Sequence, residues 1–546
     1  MADSTEKNRF SSRLGLILVT LGMAIGAGNI WRFPRIAAKN GGGAFLVPWL
    51  LFMILWSAPL LMVEFAMGKA TRQGPIGAFV KALGGKFAWA GAFVALCTAF
   101  IMFYYSVVTG WSAYYALASL TRFHDLTHRS SAVWNHFSNG SLQAVFFHGL
   151  ASLGSALILA RGVTAGIERV SKVLVPLLGV LLVAAMIRGL TLPGGPAGLQ
   201  FLYHVDWDRL ADGRTWIEAL TQSAWSTGAG WGLMLTYGAY ASDREDVGLN
   251  SLITVLGNNS ASLLAAMAVL PAVFALAGSG QEAAMATGAG NTGLAFVWMP
   301  RLFGRMSAAG PLFAFIFFAA LTAAALSSLL AMMEMVAKVV MDMGLTRHKA
   351  LTLVGGATFL FGLPSALNLH FFENQDWVWG LGLLLSGGLV AMAAIRLGPR
   401  AFRKAWINGP GADWQVGPWF DLAITWIIPI QLLVLLAWWF TQSITTYAPH
   451  SWYKPWDRYS LATCLVQWTA AFAILVFLGG RLARRIQRVA RQRGEPERIW
   501  VDQRRQAPSD DPTPQGAPTS QDAPMSQDAA TESGTSATRH DEVDRP

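Results

Sequence analysis

Long apolar stretches separated by short polar ones run along the chain from Leu14 to Leu478. A helix that crosses about 30 Å of hydrocarbon needs roughly 20 residues, and about twelve stretches meet that length. They predict helices over 13–38, 45–68, 88–120, 142–161, 170–190, 216–240 and 247–276, then over 311–343, 350–368, 377–397, 419–441 and 461–478. The pattern is that of an all-α membrane protein.

Composition agrees, because 53% of residues are hydrophobic and only 13% are charged, too apolar for a water-soluble protein of this size. The formal charge of +10 does not point to nucleic acid, because the basic residues sit beside the apolar stretches as topogenic signals do. Lys7, Arg9 and Arg13 precede the first stretch, and Lys69, Arg72, Lys81 and Lys86 follow the second. Arg161, Arg169 and Lys172 surround the fourth loop, and Arg347, His348, Lys349, Arg396, Arg400, Arg403, Lys404 and the run 481–493 fall on the same side. The positive-inside rule therefore predicts a multi-pass protein of the cell inner membrane with both termini cytoplasmic. Residues 1–13 are polar and carry no cleavage site, which argues against a removable signal. The expected organisation is a cytoplasmic segment over 1–12, a transmembrane domain over 13–480, and a basic then disordered tail over 481–546. Cys97 and Cys464 lie in apolar stretches and suggest neither a disulfide nor a metal cluster. His124, His128, His136 and His148 are unevenly spaced and are expected to face solvent.

Two stretches depart from simple apolarity. The first carries Gly22, Gly26 and Gly28 in its middle and Pro34 near its end, and the sixth reads Ser226-Thr-Gly-Ala-Gly-Trp-Gly232. Glycine weakens a helix by roughly 1 kcal/mol relative to alanine, so both are expected to unwind, although close small-residue packing is an alternative reading. Unwound backbone in hydrocarbon must find other partners, and carbonyls of Gly22, Ala24 and Ile25 suit a hard cation while N–H groups of Ala27 and Gly28 suit a carboxylate. Glu64, a carboxylate in mid-span, is costly unless bonded and is a candidate cap for unwound N–H groups.

Residues 13–34, with Asn40-Gly-Gly-Gly-Ala-Phe45, Pro59-Leu-Leu-Met-Val-Glu-Phe-Ala-Met-Gly68, Tyr104-Tyr-Ser-Val-Val-Thr-Gly-Trp111, Leu235-Thr-Tyr-Gly-Ala-Tyr240 and Asn258, resemble the neurotransmitter:sodium symporter family. The resemblance implies an inverted 5+5 helix repeat with helices 1 and 6 unwound at midplane, plus two extra C-terminal helices. It implies sodium-coupled symport by alternating access, with two Na+ sites. The first would use Ala24, Asn29, Ser226 and Asn258, and the second Gly22, Ile25, Ala324, Ser327 and Ser328. Substrate would meet Ala24, Ala27, Gly28, Ile101, Tyr105, Trp225, Ser226, Gly228, Trp231, Ser328 and Met332. Arg32 and Asp376 would gate one side, with Glu373 as an alternative partner. Asp342, Tyr240 and Lys7, or Arg9 one turn away, would latch the other.

Gly26 stands where monoamine carriers of that family place an aspartate, which implies a substrate bearing its own carboxylate. Two tryptophans beside the pocket favour a small neutral amino acid, whereas Gly228 reopens volume for a larger hydrophobic or aromatic one. Gln222, Ser226, Asn258 and Ser262 resemble a chloride-binding arrangement, with Trp49 in place of the usual tyrosine. A non-transporting amino-acid sensor of the same fold is the competing class. The intramembrane clusters that an enzyme would need are missing from the sequence, and the oligomeric state is left open.

Overall fold

The computed structural model describes residues 9–495. Lys7, the rest of the expected segment before Arg9, and the tail from residue 496 lie outside the described residues. The first apolar stretch is broken as its glycines predict: α1 (Arg13–Ala24) and α2 (Ala27–Lys39) meet at a 52° bend. Ile25 and Gly26 at the break are extended, with φ/ψ of −80/96 and −110/−176. There follow α3 (Gly43–Thr71), α4 (Gly85–Thr121), α5 (Leu142–Ala160) and α6 (Val163–Thr191). The sixth stretch is also interrupted, into α7 (Gly213–Ser226) and α8 (Leu233–Tyr240). The rest are α9 (Val247–Leu276), α10 (Gly310–Asp342), α11 (Arg347–Leu367), α12 (Leu369–Leu397), α13 (Trp419–Tyr447) and α14 (Leu461–Gln492).

Among the described residues ten helices are long and apolar enough to cross a membrane, and eleven if the bent pair counts as one span. The expected dozen is not reached because the sixth stretch yields helices of 14 and 8 residues, each too short alone. Gly228, Gly230 and Gly232 take φ of 73°, 86° and 73° in the intervening segment. A side chain is strained in that left-handed region, so alternating glycines are what allow the chain to stay unwound there.

The broken spans are held by long straight neighbours. α10 lies along α4, α9 along α6, and α8 along α3. The α3–α8 contact is close, because a Cβ on Gly68 would stand 1.8 Å from the Leu235 carbonyl oxygen. Two expectations need correction. The boundary at 481 falls inside α14, whose Ala483, Ile486, Val489 and Ala490 are buried, and Arg485 Nε donates to the Met343 carbonyl at 2.8 Å. The basic residues at the start of the expected tail are therefore docked on protein at the end of α10 through Arg485. His124, His128 and His136 are exposed, but His148 is buried on α5. Its Nδ1 meets Ser106 Oγ at 3.1 Å and its Nε2 meets the Phe359 carbonyl at 3.0 Å, so a polar ring is satisfied inside a span.

Gly68→Ala would force α3 and α8 apart, and overpacking of this kind costs about 1–3 kcal/mol. A lower thermal midpoint in detergent than for Gly356→Ala, where a Cβ meets nothing within 4 Å, is the expected result.

Candidate functional site

Unwinding exposes peptide groups, and the structure supplies each break with partners. Glu64, fully buried on α3, accepts from Gly230 N at 2.7 Å, Gly232 N at 3.1 Å and Leu235 N at 3.3 Å. One carboxylate thus caps the start of α8. The carbonyls are met by hydroxyls: Thr98 Oγ1 donates to Trp231 O at 2.7 Å, Ser386 donates to Gly230 O, and Ser57 Oγ donates to Ser223 O at 3.2 Å.

At the α1–α2 break, Asn29 Oδ1 accepts from Gly26 N at 2.9 Å, and its amide nitrogen donates to Asn258 Oδ1 at 2.8 Å and Ser262 Oγ at 2.7 Å. One end of the Asn258 side-chain amide also stands 3.0 Å from the carbonyl oxygens of both Ala24 and Ser226. The two carbonyls and that amide thus converge on one point. Ala24, Asn29, Ser226 and Asn258, expected from sequence to act together, are therefore neighbours in space. The same holds for the second set. Ser327 Oγ donates to Ala324 O at 2.9 Å, Ser328 Oγ to Met23 O at 3.1 Å, and both hydroxyls lie 3.5 Å from Ile25 O. Gly22 packs on Ser327, whose Cβ is 3.3 Å from the position a Gly22 Cβ would take. The donors in both sets are carbonyl, amide and hydroxyl oxygens, which suit a hard alkali cation. Groups of three or more His, Cys, Asp or Glu able to hold a metal ion are absent among the described residues.

Between the breaks is a cavity of about 90 Å³, lined by Ala24, Gly26, Gly28, Asn29, Tyr105, Trp225, Ser226, Gly228, Trp231, Ser328 and Met332. Ala27 borders it through its N–H, which donates to Tyr105 Oη at 2.8 Å. A Cβ on Gly26 would lie 2.7 Å from Tyr105 Oη and 3.0 Å from Ser328 Oγ, so any side chain there displaces the tyrosine hydroxyl. Met23 and Leu233 also line the cavity. Sequence reasoning missed both, although their positions flanking the glycine-rich breaks were a usable signal. Ile101 lines a second cavity of about 90 Å³ rather than the first, together with Arg32, Tyr104, Gln222 and Asp376. The two spaces share Gly28, Tyr105, Trp225, Ser226 and Trp231 as their partition.

The gates differ from expectation in their partners. The Arg32 guanidinium lies 3.6 Å from the centre of the Trp225 ring, while Asp376 is hydrogen-bonded by Tyr104. Arg32 and Asp376 thus face one cavity, each held by an aromatic residue. Glu373, the alternative partner, pairs with Arg458 instead. On the opposite side, Asp342 accepts from Gly74 N at 2.6 Å and pairs with Lys338, while Arg9 pairs with Asp243 at 3.6 Å. Arg9 is thereby removed as a partner of Asp342, and Lys7 lies outside the described residues. Tyr240 Oη donates to Glu334 at 2.7 Å, and Arg347 grips the same carboxylate at 2.9 and 2.7 Å. Glu334 had no flag in the sequence beyond being an acidic residue within an apolar stretch. In the anion set, Ser262 Oγ is taken by Asn29, while Gln222 Oε1 and Trp49 Nε1 are buried without a partner.

Two broken apolar stretches, meeting around oxygen clusters and a small cavity, define a multi-pass membrane transporter. The family model described as the sodium:neurotransmitter symporter family matches residues 7–139 and 138–488. An uncharacterised sodium-dependent transporter of Methanocaldococcus jannaschii is 33% identical over 408 residues, 71% of this chain and 80% of that one. Another from Bacillus subtilis is 29% identical over 78% of this chain and 96% of its own. The crystal structure of MhsT in complex with L-phenylalanine superposes with a TM-score of 0.69 at 30% identity, covering 79% of this chain and 99% of that one. The chain belongs to the sodium:neurotransmitter symporter family, a family of transporters and not of enzymes.

Glu64→Ala strands three buried N–H groups, at about 1–3 kcal/mol each before relaxation. Glu64→Gln retains a carbonyl acceptor. Thermal unfolding in detergent should rank wild type above Glu64→Gln and Glu64→Gln above Glu64→Ala; equal midpoints for the last two would contradict this role of the carboxylate.

Proposed function

We propose that the protein is a sodium-coupled symporter that imports a small neutral amino acid across the cell inner membrane, with both termini cytoplasmic. The observation that carries this reading is the convergence of the Ala24 and Ser226 carbonyl oxygens on the Asn258 amide, 3.0 Å from each, against the wall of the cavity. A sodium ion held there would be ligated by oxygens alone. A substrate carboxylate placed at Ala27 N, Gly28 N and Tyr105 Oη would lie within reach of the same charge, so ion and substrate bind better together than apart. Gly22, Ile25, Ala324, Ser327 and Ser328 would hold a second sodium. Inward movement of positive charge is favoured by the membrane potential, about 2.3 kcal/mol per charge per 100 mV.

The cavity supports a small substrate. Its volume of about 90 Å³ is well under the ~300–1,000 Å³ of pockets that take drug-sized ligands. Trp225 and Trp231 line it, and the collision of a Gly26 Cβ with Tyr105 Oη leaves no room for a carboxylate supplied by the protein. A second reading, uptake of an aromatic amino acid, is favoured by the 30% identity to MhsT in its complex with L-phenylalanine and by the bare backbone at Gly228. Gln222, Ser226, Asn258 and Ser262, with the unpaired indole N–H of Trp49, would hold chloride beside the first sodium.

Proteoliposome uptake tests the whole reading. A sodium gradient should drive accumulation of glycine or alanine, Ser328→Ala should raise the sodium concentration for half-maximal rate several-fold, and gluconate in place of chloride should slow uptake. Accumulation of phenylalanine but not glycine would select the second reading. Equal rates in chloride and gluconate would remove chloride, and uptake indifferent to sodium would remove symport.

A further inference from the structure

A groove of about 740 Å³ runs between α5 and α11 on the face these helices turn to lipid. Its floor is made of small residues, among them Gly149, Ala156, Gly355 and Gly356, and its walls include exposed Leu153 and Leu157. From Val145 to Ala160 it extends about 22 Å at ~1.5 Å per residue. One leaflet of a ~30 Å core is about 15 Å deep, so the groove can take the full length of an acyl chain.

What distinguishes this groove from ordinary lipid-facing surface is its mouth. Ala160 and His348 line its end, and each is followed by an exposed basic residue, Arg161 and Lys349. Arg347 Nε donates to the Leu159 carbonyl at 2.9 Å, so the end of α5 and the start of α11 are in contact and bring these side chains to one place. Basic pockets between spans at the membrane surface favour anionic headgroups. A second copy of the chain fits poorly as the occupant, because a two-fold interface sets the same patch against itself. Arg161, His348 and Lys349 would then face their own equivalents, and the residues lining the groove include no Asp or Glu to offset them.

We propose that this groove binds an anionic phospholipid, with one acyl chain along Gly149, Ala156 and Gly356 and the phosphate at Arg161, His348 and Lys349. The site adjoins the inner network, since Arg347 reaches from the groove's end to Glu334 and through it to Tyr240. Lipid held there steadies the end of α11 and with it the Arg347–Glu334 pair.

Native mass spectrometry of the full chain, titrated with phosphatidylglycerol or with phosphatidylcholine of the same acyl chains, tests the proposal. Phosphatidylglycerol should be retained about 30-fold more tightly, the weight of two basic side chains at an anionic surface, and the double substitution Arg161→Gln with Lys349→Gln should abolish that preference. Gly356→Leu adds bulk where a Cβ meets nothing within 4 Å; it should release both lipids while leaving the thermal midpoint of the delipidated protein in place. Equal retention of the two lipids, or undiminished phosphatidylglycerol binding by Gly356→Leu, would overturn it. So would a disulfide-linked dimer of Gly356→Cys in membranes, which would show the groove covered by a second copy.

Discussion

A peptide N–H or C=O left unpaired in hydrocarbon costs several kcal/mol, and this chain interrupts two of its apolar stretches. The side chains packed around both breaks answer to it. Glu64 takes three N–H groups of the second break, and Thr98, Ser386 and Ser57 cover its carbonyls. Asn29 covers Gly26 N at the first break. The carbonyls of Ala24 and Ser226 converge instead on the Asn258 amide, 3.0 Å from each. In the proposed symport, that convergence of carbonyl and amide groups is where the backbone would hold a cation.

In the proposed symport, coupling would follow from shared residues. Ala24, Asn29 and Ser226 belong both to the first oxygen set and to the wall of the cavity, and Ser328 belongs both to the second oxygen set and to that wall. Ion and substrate would then use the same atoms. Tyr240 at the end of α8 is tied to Glu334 on α10 and through it to Arg347 on α11, so the second break is linked to α10, the helix that carries Ser327 and Ser328.

The family and the two breaks were legible because they depend on local chemistry. Glycine at 26, 228, 230 and 232 announces backbone that cannot stay helical, and Glu64 in mid-span announces a group that must be bonded. Partner choice was less legible. Arg32 and Asp376 were expected to gate one side, and they do face one cavity; what the sequence did not signal is that Arg32 lies over the Trp225 ring and that the Tyr104 hydroxyl bonds Asp376, which only packing decides. Asp342 was assigned Lys7 or Arg9; Lys7 lies outside the described residues, Arg9 pairs with Asp243, and Lys338 one turn away on the same helix pairs with Asp342. Glu334 escaped notice because its partners, Tyr240 and Arg347, are brought to it by tertiary contacts. His148 misled for the converse reason, since a polar residue near a loop in sequence proved to be inside a span with both ring nitrogens bonded.

In the proposed symport, main-chain and side-chain oxygens at the two breaks bind sodium and thereby create the amino-acid site. Equilibrium binding of radiolabelled alanine to purified protein, measured across a sodium titration with choline as replacement, is the decisive test. The dissociation constant should fall steeply as sodium rises, with the dependence weakened by Asn258→Ala. Alanine, glycine and phenylalanine binding that is the same in sodium and in choline would contradict it.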